Sequence, residues 1–411
     1  MKNKIDLSWN AFDVATHLII NFSAYFLFLT VLGAANYANF IFISLICGVC
    51  QTLAKLGQND YLIVTKKLSD RTISGIFTLN ILFAKLIFLI LVLIFFLIFL
   101  LTPRGNIFMV SAVLMSISVF LSISSNTFLA MLQKRQEFKK LFILNLGASL
   151  SSIAITFFFS RFVNEIFYPV IFMLGTAGTL LLFLIKSNLF NLKLSKENLI
   201  TFLDIAKDFM IPLTKTRPIM VATKNIDTFM VIFIGGDILL VAYNTIKKLL
   251  VYPLSILYGI LDRWLYPLMA KLEIASKVKK TYMNLSKRIF LASLILSIIL
   301  INILSLFDFQ ITKYFLSIGI YDVNIMTLCY GFVLAWPALT LPSLIYPYAK
   351  VIKETQLLPR LSIFQALTIF FSLLFIYIID NHDLVTFGFL MAYLLMNIYI
   401  IKVFKLLSFK Y

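Results

Sequence analysis

The sequence contains about twelve apolar runs, each long enough to cross a lipid bilayer as an α-helix. The strict alternation of apolar and polar residues that marks a membrane β-barrel is missing from these runs. Of the 411 residues, 61% are hydrophobic and only 13% are charged, which is too apolar for an ordinary soluble protein. The sequence therefore predicts an all-α polytopic membrane protein.

The predicted spans follow one another along the whole chain with mostly short polar connections. A membrane helix needs about 20 apolar residues, and this length sets their approximate bounds. They cover residues 11–32, 38–55, 76–101, 107–131, 141–160, 166–185, 210–234, 238–262, 288–308, 324–347, 359–379 and 384–403.

The longest polar connection lies near the middle and divides the spans into two sets of six. We predict an N-terminal bundle in residues 1–186, a cytoplasmic linker in 187–208 and a C-terminal bundle in 209–411. Behind a candidate helix cap at Ser195, four apolar residues of the linker follow helical spacing. This pattern is typical of an amphipathic helix on the membrane surface, and its members are Leu199, Phe202, Leu203 and Ala206.

The basic residues indicate the orientation of the chain. A net charge of +18 would favour a nucleic-acid partner in a soluble protein, but in a membrane protein it reflects positively charged cytoplasmic loops. With the N-terminus inside, 26 of the 36 Lys and Arg residues fall on cytoplasmic segments. Only Arg104, Arg161 and Lys313 fall on external ones. We therefore predict that both termini are cytoplasmic, and we expect no nucleic-acid partner.

The external connections argue against an enzyme, because they are too short to form a catalytic domain. The sequence also contains no phosphate-binding loop, no metal-ligand spacing and no nucleophile motif. We accordingly expect neither a cofactor nor a metal ion.

The two halves resemble each other weakly at their first external turns. Leu32-Gly33 is followed by Tyr37-Ala38-Asn39 in the first half, and Gly235-Gly236 is followed by Ala242-Tyr243-Asn244 in the second. Many transporters are built from two similar halves with the substrate site between them. The repeat therefore favours a transporter.

Four charged residues lie deep in the seventh and eighth spans. Counted from the turn at Gly235-Gly236, they are roughly 12–18 Å from that end, close to the middle of a hydrocarbon core about 30 Å thick. They are Lys224, Asp227, Lys247 and Lys248. Ionisable residues at this depth are costly, so by default they indicate a functional site.

Helical spacing assigns these charges to faces. Arg217, Lys224 and Asp227 share one face of the seventh span. Lys247 and Lys248 are adjacent and therefore about 100° apart, so they cannot point the same way. Lys248, on a stripe with Asn244, is the better candidate for a cavity, whereas Asp227 is expected to pair with Lys224 or Lys247. In the simplest alternative, these residues only pair and pack.

Three further residues have two interpretations each. Lys85, on the third span, either is buried or extends its ammonium to the cytoplasmic boundary, depending on where its helix begins. Asp13 and His17 lie at i and i+4 on the first span. They are candidates for a coupling proton or cation, or they form an ordinary pair at the membrane boundary.

Several segments carry a resemblance to the polysaccharide-transporter branch of the multidrug/oligosaccharidyl-lipid/polysaccharide exporter superfamily, in particular to Wzx-type O-antigen flippases. The likeness in topology extends over the whole chain. The residues that carry it are Leu32-Gly33 with Tyr37, Leu56-Gly57, the run from Gln133 to Leu141, Asn225-Ile226-Asp227, Gly235-Gly236, Ala242-Tyr243-Asn244, Pro253-Leu254 and Tyr266-Pro267.

The resemblance implies two six-helix bundles around a central cavity that opens alternately to each side of a bacterial inner membrane. It implies that undecaprenyl-diphosphate-linked oligosaccharide units, of O-antigen or capsule type, pass from the cytoplasmic to the periplasmic leaflet. Membrane lipids and the glycan polymerase machinery would be further partners. The family's cationic cavity would fall on Lys85, Arg217, Lys224 and Lys248. We add Lys247 as a candidate because of its depth.

The alternative function on the same scaffold is a cation-coupled multidrug or metabolite antiporter. Its usual substrates are cations, so its cavity needs acidic rather than basic residues. A glycan polymerase or ligase would need large external loops, which this sequence does not have.

Overall fold

A computed structural model describes residues 2–54, 57–65, 68–102, 105–135, 137–186, 194–251, 253–254, 275–321, 323–351 and 357–408. For some of these, among them His17 and Lys224, the described part is the backbone alone. All regular structure in these ranges is helical. The α-helices are α1 Lys2–Leu53, α2 Gln58–Val64, α3 Asp70–Leu101, α4 Asn106–Lys134, α5 Phe138–Phe159, α6 Tyr168–Lys186, α7 Lys196–Leu250, α8 Ala275–Leu306, α9 Asp308–Ser317, α10 Ile325–Val351, α11 Leu357–Ile379 and α12 Val385–Ser408.

Ten helices in the described part of the chain are long and apolar enough to cross a membrane. Two of them, α1 and α7, contain non-helical glycines: Gly33 in α1, and Gly235 and Gly236 in α7. Gly33 and Gly236 both have a φ of 67°, which favours glycine because a Cβ would be strained there.

Contacts across these glycines show that the chain reverses direction. The rings of Tyr25 and Tyr37 are 5.0 Å apart, although twelve residues of straight helix would separate them by about 18 Å. The Tyr243 hydroxyl similarly lies 2.8 Å from Asp227, sixteen residues earlier. Since α1 and α7 are each hairpins of two arms, the ten candidates provide twelve spanning segments, and the predicted fold class is confirmed.

The chain divides into two compact units, Met1–Val221 and Ala222–Tyr411. In the first, α3 packs on α4, α5 on α6, and α4 on α6. Hydroxyl groups link these helices to backbone carbonyls: Ser118 donates to Met173 at 3.0 Å, and Ser152 donates to Phe172. Such hydrogen bonds and close packing hold helices together in lipid. The hydrophobic effect does not drive them together there, because the lipid tails are as apolar as the side chains.

In the second unit, α10 is the central helix and packs on α8 and α12. Its Gly331 permits the close approach of α12, because a Cβ there would lie 2.1 Å from the Thr386 hydroxyl. Ser297 on α8 donates to the carbonyl of Val333 at 2.9 Å, and Asn397 on α12 donates to that of Ala338 at 2.9 Å. These contacts fix α10 between its two neighbours.

The predicted linker helix is present but is not a separate element. The Ser195 hydroxyl caps it by accepting a bond from the Asn198 amide at 3.2 Å. Phe202 and Ala206 are fully buried in a cluster with residues of α2, α3 and α4. The helix then continues as α7 into the seventh span, and the division between the units falls inside it, after Val221. The predicted bundle bounds stay predictions.

The reversal at Gly236 gives a first testable prediction. Gly236→Ala should lower the stability of the purified protein by about 1–3 kcal/mol, because an L side chain is strained at this positive φ. A Cβ at Gly236 meets no atom within 4 Å, so the loss would report backbone strain and not a clash. The measurement is the thermal unfolding midpoint in detergent.

Gly48→Ala is the matched control, since its Cβ also meets nothing within 4 Å. It lies inside a regular helix, where alanine is favoured over glycine by about 0.5–1 kcal/mol. Equal shifts in the two variants would contradict the reversal at Gly236.

Candidate functional site

The two arms of the α7 hairpin bring three polar side chains together around the Asp227 carboxylate. Asp227 is only 2% exposed. Its Oδ2 accepts a bond from the Tyr243 hydroxyl at 2.8 Å and is in direct contact with the Lys247 ammonium. Thr228 donates more weakly to Oδ1, at 3.4 Å. An ammonium and a phenol therefore compensate the burial of this carboxylate.

The register of the hairpin explains this arrangement. Asp227 precedes Gly236 by nine residues and Tyr243 follows it by seven, so the two lie at similar depth on opposite arms. Lys247 comes four residues after Tyr243 and therefore shares its face. The reversal and the helical period together direct both donors towards Asp227.

Aromatic rings surround the Lys247 ammonium on its other sides. Its Nζ lies 5.6 Å from the centroid of the Tyr243 ring and 6.0 Å from that of Phe389, distances at which a cation is attracted to a ring face. Phe332 packs on both rings, with centroids 5.0 Å and 5.4 Å away. The Lys247 side chain is 13% exposed. Its charge is thus balanced by Asp227 inside an aromatic cage.

The structure assigns the predicted pairing of Asp227 to Lys247. The side chain of Lys224, the other expected partner, lies outside the described residues. Lys248 is half-buried and lies about 100° further round the helix than Lys247. Asn244, on the same stripe as Lys248, is also half-buried. The adjacent lysines therefore diverge, as their sequence positions predict.

A second polar contact lies beside this cage and was not predicted from the sequence. Gln365 on α11 donates to the Tyr393 hydroxyl at 2.9 Å, and the Tyr393 ring is 4.6 Å from Phe389. The rings of Phe364 and Tyr399 stack nearby along the same pair of helices, with centroids 4.1 Å apart. The available signal was a lone glutamine within a strongly apolar span.

In the first unit, Asp13 has a neutral partner. Its carboxylate accepts a bond from the Asn145 side chain on α5 at 3.0 Å. One turn earlier, Trp9 packs on Phe142 with ring centroids 5.6 Å apart and receives the Lys139 ammonium 5.6 Å above its ring. The His17 side chain lies outside the described residues, so its pairing with Asp13 stays a prediction. Asp13 fastens the start of α1 to α5.

Lys85 and Arg217 complete the predicted basic set, and both belong to the first unit. Lys85 is exposed on α3, on a face with Leu82 and Leu89, whose side chains are 48% and 64% exposed. Whether Lys85 lines a cavity or extends to the membrane boundary stays a prediction. Arg217 is half-buried. Among the described residues, no group of three His, Cys, Asp or Glu side chains could hold a metal ion.

Comparison with known proteins places these features in context. Residues 9–273 match a family model described as polysaccharide biosynthesis protein. A search of curated proteins found no match.

Several solved structures share the fold at low sequence identity. The lipid II flippase MurJ, in an inward closed conformation, is 16% identical, with a TM-score of 0.70 over 96% of this chain and 87% of MurJ. An inward-facing multidrug resistance MATE transporter of the MOP superfamily is 14% identical, with a TM-score of 0.68 over 93% and 92% of the two chains.

A MOP superfamily transporter from Pyrococcus furiosus, described as having a binding pocket of reverse polarity, is 13% identical. Its TM-score is 0.64 over 96% of this chain and 92% of that one. All three are transport proteins, and at these identities the likeness concerns the fold.

The Asp227–Lys247 contact gives a second prediction. Asp227→Ala should destabilise the protein by about 3–5 kcal/mol, because it leaves the Lys247 ammonium buried without its counter-ion. Lys247→Met should also destabilise, and the double variant should be more stable than the Asp227→Ala single. The measurement is the folded fraction and melting temperature of each variant in detergent.

Lys196→Met is the control, since this lysine is exposed at the start of α7 and its replacement should change neither quantity. If the double variant loses the full sum of the two single losses, the side chains are not coupled and the pairing is wrong.

Proposed function

Because the chain belongs to the polysaccharide biosynthesis protein family, we propose that it is a flippase for undecaprenyl-diphosphate-linked oligosaccharide units. It carries O-antigen or capsule repeat units from the cytoplasmic to the periplasmic leaflet by alternating access. It is a transporter and not an enzyme. The transport proteins that share its fold support this reading at the level of the scaffold.

The contacts of Asp227 are the observation that supports one class of substrate over the other. A transporter of cationic drugs needs an acidic group that is free to receive the cation. Among the spans of the second unit that the structure describes, Asp227 is the acidic residue at depth, and Lys247 and Tyr243 already engage it. For the second unit, this supports an anionic substrate over the multidrug-antiporter alternative.

In this proposal the basic and aromatic residues have different roles. Lys247 neutralises Asp227 and links the two arms of the hairpin. Lys248, Arg217 and Lys224 are the cations proposed to attract the diphosphate, since phosphate oxygens form strong charge-assisted hydrogen bonds. The half-buried rings of Phe364 and Tyr399 suit the apolar faces of sugar rings.

The proposed setting is a bacterial inner membrane with both termini in the cytoplasm. The bias of basic residues to one side supports this orientation. The lipid-linked oligosaccharide, the membrane lipids and the glycan polymerase machinery are the proposed partners.

Depletion of the protein in its host tests the function directly. Lipid-linked repeat units should accumulate on the cytoplasmic leaflet while surface glycan is lost. Their position can be measured with a membrane-impermeant glycan-cleaving enzyme applied to inside-out and right-side-out vesicles. An unchanged leaflet distribution, together with greater sensitivity to cationic drugs, would instead support the antiporter.

Lys248 gives a prediction that separates binding from folding. Lys248→Met should leave the amount of folded protein near normal but strongly reduce glycan export, because the diphosphate loses a cation. Lys248→Arg should keep part of the activity, since the charge persists, and Lys248→Glu should abolish it. Export is measured as surface glycan per folded transporter.

The neighbouring Lys247→Met is the matched comparison, because it should instead reduce the amount of folded protein. Normal export by Lys248→Glu at parental protein levels would refute the cationic site.

A further inference from the structure

The short helix α9 lies between two spanning helices of the second unit and cannot cross the membrane itself. Its ten residues, Asp308–Ser317, extend about 15 Å, half the thickness of the hydrocarbon core. It begins directly after α8 ends at Leu306 and packs against α10. Such a helix must lie where the spans end, at the boundary between lipid and water.

One side of α9 is fixed to the protein. Phe315 is 4% exposed, and Ile318 and Ile320, just after the helix, are 6% and 1% exposed. Gly319, with a φ of 85°, turns the chain from α9 towards α10. The opposite side of the helix is therefore held outward in a defined orientation.

Around the outward side of α9, the exposed side chains change from apolar at one edge to polar at the other. Phe309 and Leu316 are 74% and 44% exposed and lie within about 20° of each other around the helix. Lys313 follows at about 40° from Phe309, and Ser317 and Gln310 at about 80–100°, all three exposed. A lysine between an apolar and a polar edge can place its stem in lipid and its ammonium among headgroups.

The apolar edge continues the lipid-facing surface of α8. Ile299, Ile303 and Leu306 share one face of that helix and are 49%, 44% and 78% exposed. Where α8 meets α9, Phe307 and Phe309 are exposed as well, at 53% and 74%. What covers α8 in the membrane therefore also covers the apolar edge of α9.

We propose that α9 is a lipid-binding helix that rests in the membrane boundary and selects anionic phospholipids through Lys313. Phe309 and Leu316 insert beside the acyl chains, and the Lys313 ammonium binds a headgroup phosphate. No described residue pairs with Lys313, and the neighbouring Asp308 is engaged by the Thr312 hydroxyl at 3.1 Å. The binding site is independent of the transported substrate.

The orientation can be tested by adding one tryptophan to the full chain at either edge, as F309W or Q310W. In vesicles, lipids brominated on their acyl chains should quench the added emission of F309W more than that of Q310W, because the apolar face of an interfacial helix lies at the level of the acyl chains. Iodide in the aqueous phase should quench the emission of Q310W more than that of F309W. The unsubstituted protein supplies the background from the native tryptophans. Equal quenching of the two, or the opposite order, would overturn the interfacial orientation.

The same F309W reporter measures headgroup selection, because only lipids next to α9 quench it. Brominated phosphatidylglycerol should associate there about fivefold more than brominated phosphatidylcholine, the effect of one basic residue near an anionic surface. K313Q should remove this preference and K313R should retain it. A preference that survives K313Q, or that is absent from the parent, would refute the role of Lys313. Monodisperse gel filtration of each variant confirms that the protein is folded.

Discussion

A carboxylate inside an apolar bundle must be neutralised, and this requirement at Asp227 governs the second unit. The ammonium and the phenol that satisfy it both come from the returning arm of the same hairpin. The contact can form only if the reversal falls at Gly235-Gly236, since a shift of one residue would turn both donors away. The aromatic residues of α10 and α12 pack around this charge pair.

The first unit contains a comparable hairpin, whose two arms meet through uncharged aromatic rings. Its hairpin also reverses at a glycine with a φ of 67° and also buries a tyrosine completely, at Tyr37. The facing arm offers the ring of Tyr25 instead of a carboxylate. The two hairpins therefore share backbone form but differ in polarity, and fold alone does not decide what such a scaffold carries. The buried charge pair thus distinguishes the second hairpin from the first.

Features that depend on interactions between residues close in the sequence were predicted, and contacts between residues far apart in the sequence were not. Span number, the glycine reversals, the Ser195 cap and the divergence of Lys247 from Lys248 depend on local period and backbone chemistry, and the sequence predicted all of them. The contact of Asp13 with Asn145 joins residues far apart in the chain, and no periodicity reveals it. The contact of Gln365 with Tyr393 was not predicted for the same reason, and because a neutral polar group costs less than a charge inside a membrane and so indicates a site less strongly.

The course of α7 has a consequence for dividing the protein into fragments. Its first 26 residues pack with the first unit, although the helix carries on unbroken into the second. A cut before α7 would leave Phe202 and Ala206 on the C-terminal fragment, while the residues of α2, α3 and α4 that bury them would be on the other fragment. Two fragments made separately would therefore have to reassemble by packing this part of α7 against α2, α3 and α4. The boundary between the two compact units and the start of α7 are therefore different places in this chain.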